Sequence, residues 1–189
     1  MEIDKEVVEK MIETTSKANI DFRLNAALAT PISKRIYRHI THLSVDESEA
    51  AIISGRDRNE VNEGTWSITA QEFLERGVQD VVATLSVKSA FYANSEEDDR
   101  CLAFDADVVH NTGAGGVCCF DLRQKANGQW DIRSAVVRSN KAAAMTIQAI
   151  GVQAGIPWGD ELDNFDAPHM HPRLPRSVST PSMIPRIYW

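Results

Sequence analysis

The chain has 189 residues, 43% of them hydrophobic and 25% charged, which suits one globular domain with an appendage and excludes wholesale disorder. Its net charge of −7 and the lack of a basic stripe in its body exclude the electrostatic footprint of a nucleic-acid binder. The longest uncharged stretch, 142–159, is interrupted by Gly151, Gly155 and Pro157, so no membrane span is expected.

Asp4 is placed to cap a first helix, with Ile3 and Val8 as its hydrophobic staple. The apolar stripe of that helix is Val7, Met11, Ala18 and Phe22, flanked by Val8 and Thr15. Thr30-Pro31 interrupts the pattern. A second helix is expected over 33–43, where Ile32, Ile36, Ile40 and Leu43 share a face that also holds His39. Residues 49–56 fit helix or strand, and Ile52-Ile53 before Ser54-Gly55 favours a short strand, with another near 61–66. Thr69-Ala70-Gln71-Glu72 reads as a capping box, Ile68 and Phe73 as its staple, and Gly77 as the stop of a short helix.

Four stretches of alternating apolar residues fill 81–138. The inward sides are Val81, Ala83, Leu85, Val87 and Phe91, then Leu102, Phe104, Ala106, Val108 and His110. Cys118, Phe120 and Leu122 follow, then Trp130, Ile132, Ser134 and Val136. A three-residue loop around Asn127, with Gly128 left-handed, pairs Leu122 with Ile132 and sets Asp121 against Arg133 and Arg123 against Asp131. The opposite face carries Val82, Ala90, Tyr92, Ala103, Val109, Val117, Ala135 and Val137. That is too apolar for a solvated face and suggests a homodimer through the sheet. A further helix is expected from Asn140 to about Ala154, with Ala143, Ile147, Ile150 and Ala154 on one face. An acidic run and a proline-rich tail ending in an apolar heptapeptide close the chain.

The expected fold class is therefore α+β: N-terminal helices packed on a strongly curved, mainly antiparallel, cone-like sheet. The expected division is 1–140 as the cone domain, 141–158 as the C-terminal helix and 159–189 as the tail. This order of elements, with the phrases Cys119-Phe120-Asp121-Leu122-Arg123 and Asn127-Gly128-Gln129-Trp130-Asp131-Ile132, resembles the nuclear transport factor 2-like superfamily. The resemblance covers about residues 5–138 and implies a pocket at the open end of the cone. It also implies either a cofactor-free lyase, isomerase or cyclase, of the scytalone dehydratase, ketosteroid isomerase or polyketide cyclase kind, or a non-catalytic dimerisation module.

Within that frame His110 is the candidate acid/base, His39 a second proton relay and Tyr37 a carbonyl donor. Each also has a structural role open to it: a loop-bonded or core histidine, or a packed tyrosine. Trp66, Phe104, Phe120 and Trp130 are the expected pocket lining. Asp166…His169-x-His171 lacks a third well-placed partner, so no metal is assigned, and no cofactor is expected. Gly113-Ala114-Gly115-Gly116 reads as a flexible hairpin loop between strands. The three cysteines, two of them adjacent, form no plausible disulfide framework. With an acidic N-terminus lacking an apolar leader, this points to a reduced, cytoplasmic setting. The expected partners are a small apolar molecule and a second copy of the chain, with neither nucleic acid nor membrane.

Overall fold

The computed structural model describes residues 4–27, 30–85, 89–109, 131–151 and 155–165. The chain divides into two compact units, Met1–Leu85 with Phe91–Arg100, and Ser86–Ala90 with Cys101–Trp189.

Helix α1 (Lys5–Lys17) begins at Asp4, whose carboxylate accepts the Glu6 amide at 2.8 Å. It turns Ile12 into the core with Val8 beside it, while Val7 and Met11 of the expected stripe stay exposed. Strand β1 (Arg23–Asn25) follows, then a 3-10 turn at Lys34–His39 and strand β2 (His42–Asp46). The helix expected over 33–43 is thus a turn and the start of a strand. Ile36 and Ile40 are buried from the turn and Leu43 from β2, so one apolar spacing is satisfied by two geometries.

Helix α2 (Glu47–Ser54) stands where a strand was favoured. Asp46 and Glu49 form a capping box, and Gly55 closes the helix with a φ of 79°. Helix α3 (Trp66–Glu75) starts before the expected box. The Thr69 hydroxyl donates back to the Thr65 carbonyl at 3.1 Å instead of capping. Gly77, at a φ of 102°, lets the chain turn tightly against Arg38, whose Cβ would lie 2.7 Å from any added side-chain carbon.

Strands β3 (Asp80–Leu85), β4 (Ser89–Ala93) and β5 (Asp98–Leu102) complete a five-stranded sheet in the order β1-β2-β3-β4-β5. β1 runs parallel to β2, with Arg23 opposite His42, and β2 runs parallel to β3, with His42 opposite Asp80 and Asp46 opposite Thr84. Helix α4 (Ile132–Thr146) and the short helix α5 (Gly159–Asp163) belong to the second unit.

The strongly curved antiparallel sheet expected from the sequence is therefore replaced by an α/β arrangement built on parallel strands. The burial pattern supplies the reason. Parallel strands are covered on both faces, so both parities turn apolar. Val81, Ala83 and Leu85 are buried, and so are Val82, Ala90, Tyr92 and Ala103 of the supposed outer face. Those residues are already buried within the chain itself, which removes the argument for a homodimer through the sheet.

The strand expected at 129–138 is helical from Ile132 onward. Ile132, Ala135, Val136, Ser139, Ala142 and Ala143 are buried at spacings of three and four, a helical period sustained over more positions than the short alternation it mimics. The pairings of Ile132, Arg133, Ser134 and Val136 with 118–122 fall with that strand. The other half of the hairpin, the glycine-rich loop and the proline-rich tail lie outside the described residues. Helix α4 begins eight positions before the expected Asn140 start and runs past position 140 without a break. Of its expected face, Ala143 and Ile147 are buried, whereas Ile150 is exposed.

The first unit's core gathers Ile12, Ile36, Tyr37, Leu43, Val45, Trp66, Phe73 and Val81. The second unit has its own cluster, Phe104, Ala106, Ala143, Ala144 and Ile147, against which Val108, Val137 and Phe165 pack.

Candidate functional site

In open α/β sheets, ligands bind beyond the carboxyl ends of parallel strands, where the chain leaves one strand and enters the next helix. In this chain β2 ends at Asp46 and passes straight into α2, so three carboxylates, Asp46, Glu47 and Glu49, fall at that end of the sheet. The Asp46 amide donates to Glu49 Oε2 at 2.7 Å, and the Glu49 amide donates to Asp46 Oδ1 at 2.8 Å. The box holds both side chains in place while using one oxygen of each. Among the described residues, no hydrogen bond reaches the other oxygen. Thr84 of β3 lies opposite Asp46, its hydroxyl donating to the Val45 carbonyl at 3.4 Å.

Burial, then the charges of Asp46 and Glu63, push the Glu47 carboxyl above its ordinary range, with Arg58 pulling the other way. Burial and the Asp46 charge likewise raise Glu49, against the opposing hydrogen bond from the Asp46 amide. Crowded acids whose charged forms are disfavoured gain from a cation or a proton brought among them. Among the described residues no three His, Cys, Asp or Glu side chains converge as an all-protein metal cage. The arrangement instead offers one or two carboxylate oxygens to an incoming group.

Two basic systems flank the loop between α2 and α3. Arg100 pairs with Glu63 at 2.6 Å. Arg76 donates to the carbonyls of Ile53 and Ser54 at 3.2 and 2.8 Å, pairs with Glu72, and stacks 5.1 Å from the Tyr37 ring centre. Arg56 holds the other Glu72 oxygen at 2.8 Å. Burial alone would raise the Glu72 carboxyl, but the Arg56 hydrogen bond and the Arg76 charge outweigh it and hold it low.

Of the residues singled out from the sequence, those described fall elsewhere. Tyr37 is fully buried, its hydroxyl donating to the Ile53 carbonyl at 2.7 Å, and burial raises its pKa. His39 meets the Ser16 hydroxyl at 2.8 Å through Nδ1, so it engages α1 while Tyr37 engages α2. Trp66 lies in the core of the first unit, and Phe104 in the cluster of the second, edge-on to Phe165. His110, Phe120 and Trp130 lie outside the described residues. The carboxylates of the strand end were missed. Their signal was Asp46-x-x-Glu49 directly after the alternating Leu43-Ser44-Val45, with Gly55 six residues past Glu49, a capping box with its stop.

A family model described as pfkB family carbohydrate kinase matches residues 1–159. The ribokinase of Staphylococcus aureus is 27% identical over 141 residues, covering 74% of this chain and 46% of the relative. The ribokinase of Bacillus subtilis is 25% identical over 164 residues, covering 87% and 52%. The structure of Arabidopsis thaliana ribokinase complexed with ribose and ATP superposes with a TM-score of 0.75 at 20% identity, covering 87% of this chain and 54% of that one. The chain thus spans about half the length of these relatives.

These findings overturn the nuclear transport factor 2-like resemblance, and with it the lyase, isomerase or cyclase chemistry. The apolar ligand is overturned as well, since the ribokinase structure that superposes holds a sugar and a nucleotide. The element order that suggested the resemblance contained two helices read as strands. Among the described residues no helix is long and apolar enough to cross a membrane.

Proposed function

This chain belongs to the pfkB family of carbohydrate kinases, and we propose that it serves phosphoryl transfer from a nucleoside triphosphate to a sugar hydroxyl. The observation that carries this reading is the carboxylate group Asp46, Glu47 and Glu49 at the carboxyl end of β2, within the segment that the family model matches. Phosphoryl transfer asks a protein for positioning and charge stabilisation more than for covalent chemistry. Magnesium is usually held by one or two carboxylates together with phosphate oxygens and water, and these hard oxygen donors fit that demand. Asp46 and Glu47 would hold the metal–nucleotide, which supplies the transferable phosphoryl group. The raised carboxyls support this role, because a divalent cation offsets the burial and the Asp46 repulsion that disfavour their charged forms.

The second oxygen of Glu49 would be left to orient water or substrate. Thr84 and the end of β3 border the same strand end. The names of the relatives make ribose the first sugar to test, and a cytoplasmic setting follows from the need for nucleotide.

Because the chain spans about half of its relatives, binding is the direct test rather than turnover. Calorimetric titration of the 189-residue chain with magnesium–ATP is expected to give saturable heat that Glu47→Gln weakens at least about tenfold, or roughly 1.4 kcal/mol. Absence of binding at millimolar nucleotide, or binding indifferent to Glu47→Gln and Asp46→Asn, contradicts the reading.

A further inference from the structure

The second unit shows water an apolar surface beside a short acidic helix. The Gly151 carbonyl accepts the Gly155 amide at 3.0 Å, and Gly155 lies so close to the end of α4 that an added Cβ would stand 2.7 Å from the Thr146 carbonyl. That closed loop is flanked by Ile150 and Ile156, which are 80% and 49% exposed. Trp158 follows and is 78% exposed, although its backbone amide is fixed by the Glu161 carboxylate at 2.6 Å. Among the described residues the other tryptophan, Trp66, is buried. Directly after Trp158, α5 carries Asp160, Glu161 and Asp163, all exposed. Asp163 is engaged by Arg138, whereas no described residue pairs with the Asp160 carboxylate. An exposed indole with carboxylates beside it is a surface suited to a basic, apolar ligand.

The sequence that follows has the complementary chemistry. Residues 160–189 lie beyond the family match and hold five of the seven prolines. After Asp166 they include Arg173, Arg176 and Arg186 but no Asp or Glu, in a chain whose net charge is −7. Pro172-Arg173-Leu174-Pro175-Arg176 sets two prolines three positions apart, each followed by an arginine. Such segments bind aromatic surfaces as polyproline II helices, because their restricted backbone has little entropy left to lose. We propose that residues 172–176 dock on their own unit, with the prolines against the Trp158 ring and Arg173 and Arg176 reaching the carboxylates of Asp160 and Glu161. This goes beyond the phosphotransfer reading and does not rest on it, so its test uses contact and not activity.

Reach and tethering favour the chain's own segment over a second copy. Phe165 is anchored edge-on to Phe104, which fixes the point from which the segment departs. The six residues 166–171 span about 19 Å when extended at roughly 3.1 Å each. Helix α5, with five residues, is only about 7.5 Å long, so that span suffices to return to Trp158. A second copy offers the same surface without the tether. The tether makes the encounter intramolecular, and contacts too weak to hold a free peptide then hold this one.

The test keeps the 189-residue chain whole, with a photoreactive benzophenone group in place of the Leu174 side chain. Irradiation is expected to link that group to residues 156–161 of the same chain, as mapped by mass spectrometry. Arg173→Glu together with Arg176→Glu should lower the yield of this link at least about fivefold, and so should Trp158→Ala. Trp158 is largely exposed, so circular dichroism should show that variant folded. Ile68→Ala, at an exposed apolar residue of α3 in the first unit, should leave the yield unchanged. No link to residues 156–161 overturns the proposal. So does a link that either the arginine changes or Trp158→Ala leave alone, or one that Ile68→Ala lowers equally. A link that joins two copies, when light and heavy-isotope chains are mixed, overturns it as well.

Discussion

Arg76 ties α2, α3 and the turn at Lys34–His39 together through one guanidinium. Its guanidinium ends α2 by bonding the Ile53 and Ser54 carbonyls, fixes Glu72, and covers the ring of Tyr37. The carbonyls at the end of a helix lack internal partners, and a planar fork of donors suits two of them at once. Tyr37 reaches the same Ile53 carbonyl through its hydroxyl. Replacing Arg76 with Met keeps much of the apolar stem but takes the side-chain donor from the Ser54 carbonyl, one of two donors from Ile53 and one of two arginines from the partly buried Glu72. The expected cost is about 2–4 kcal/mol in chemical denaturation. Lys at this position should recover only part of that, because an ammonium cannot span both carbonyls in a plane. An Arg76→Met protein as stable as the parent would remove this account of the α2–α3 junction.

At the scale of elements, two classes of carboxylate should pull the stability profile in opposite directions. Burial would raise Glu9, but the Ser33 amide and hydroxyl at 2.8 Å outweigh it and hold the carboxyl low, as the arginines do for Glu72. Such groups bind fewer protons folded than unfolded. Their contribution is complete above the ordinary carboxylate value of 4.5 and is lost as pH falls through the depressed folded value. Glu47 and Glu49 are raised, so the folded state binds more protons there. Their contribution is favourable in acid and declines as pH rises from 4.5 through the raised value. Glu47→Gln should therefore raise the denaturation midpoint at neutral pH and leave it unchanged well below 4.5. A variant less stable at neutral pH would show that Glu47 is held by attraction and not crowded.

The same elements show what could be read from the sequence. Asp4 announces α1 because a cap is a local interaction that needs no tertiary partner. The strands at 80–85 and 89–93 overlap what read as one extended stretch, 81–93, and of 98–102 only 100–102 falls in the next extended stretch. Their neighbours and direction did not follow, because alternation in a window of five or six residues is the same whether the partner strand runs parallel or antiparallel. Ile132–Val136 satisfied a strand parity by chance, and only the longer run to Thr146 reveals its helical period. For the site, Asp46-Glu47-Ser48-Glu49 was visible as a helix start but carried no chemistry until β1, β2 and β3 were aligned in parallel. Tyr37 and His39 drew notice as polar groups in an apolar stripe; the structure gives each a hydrogen-bonding partner within the first unit.

For the molecule as a whole, the central claim is that the end of the parallel sheet near Asp46 receives nucleotide and sugar. Amide hydrogen exchange of the 189-residue chain, with and without magnesium–ATP and ribose, tests that most directly. The account predicts slowed exchange concentrated in residues 45–49 and 84–85, where β2 and β3 end, and no comparable change at Lys34–His39 on the opposite side of β2 in the chain. Protection confined to the turn at Lys34–His39, or an exchange pattern identical with and without both ligands, would contradict it.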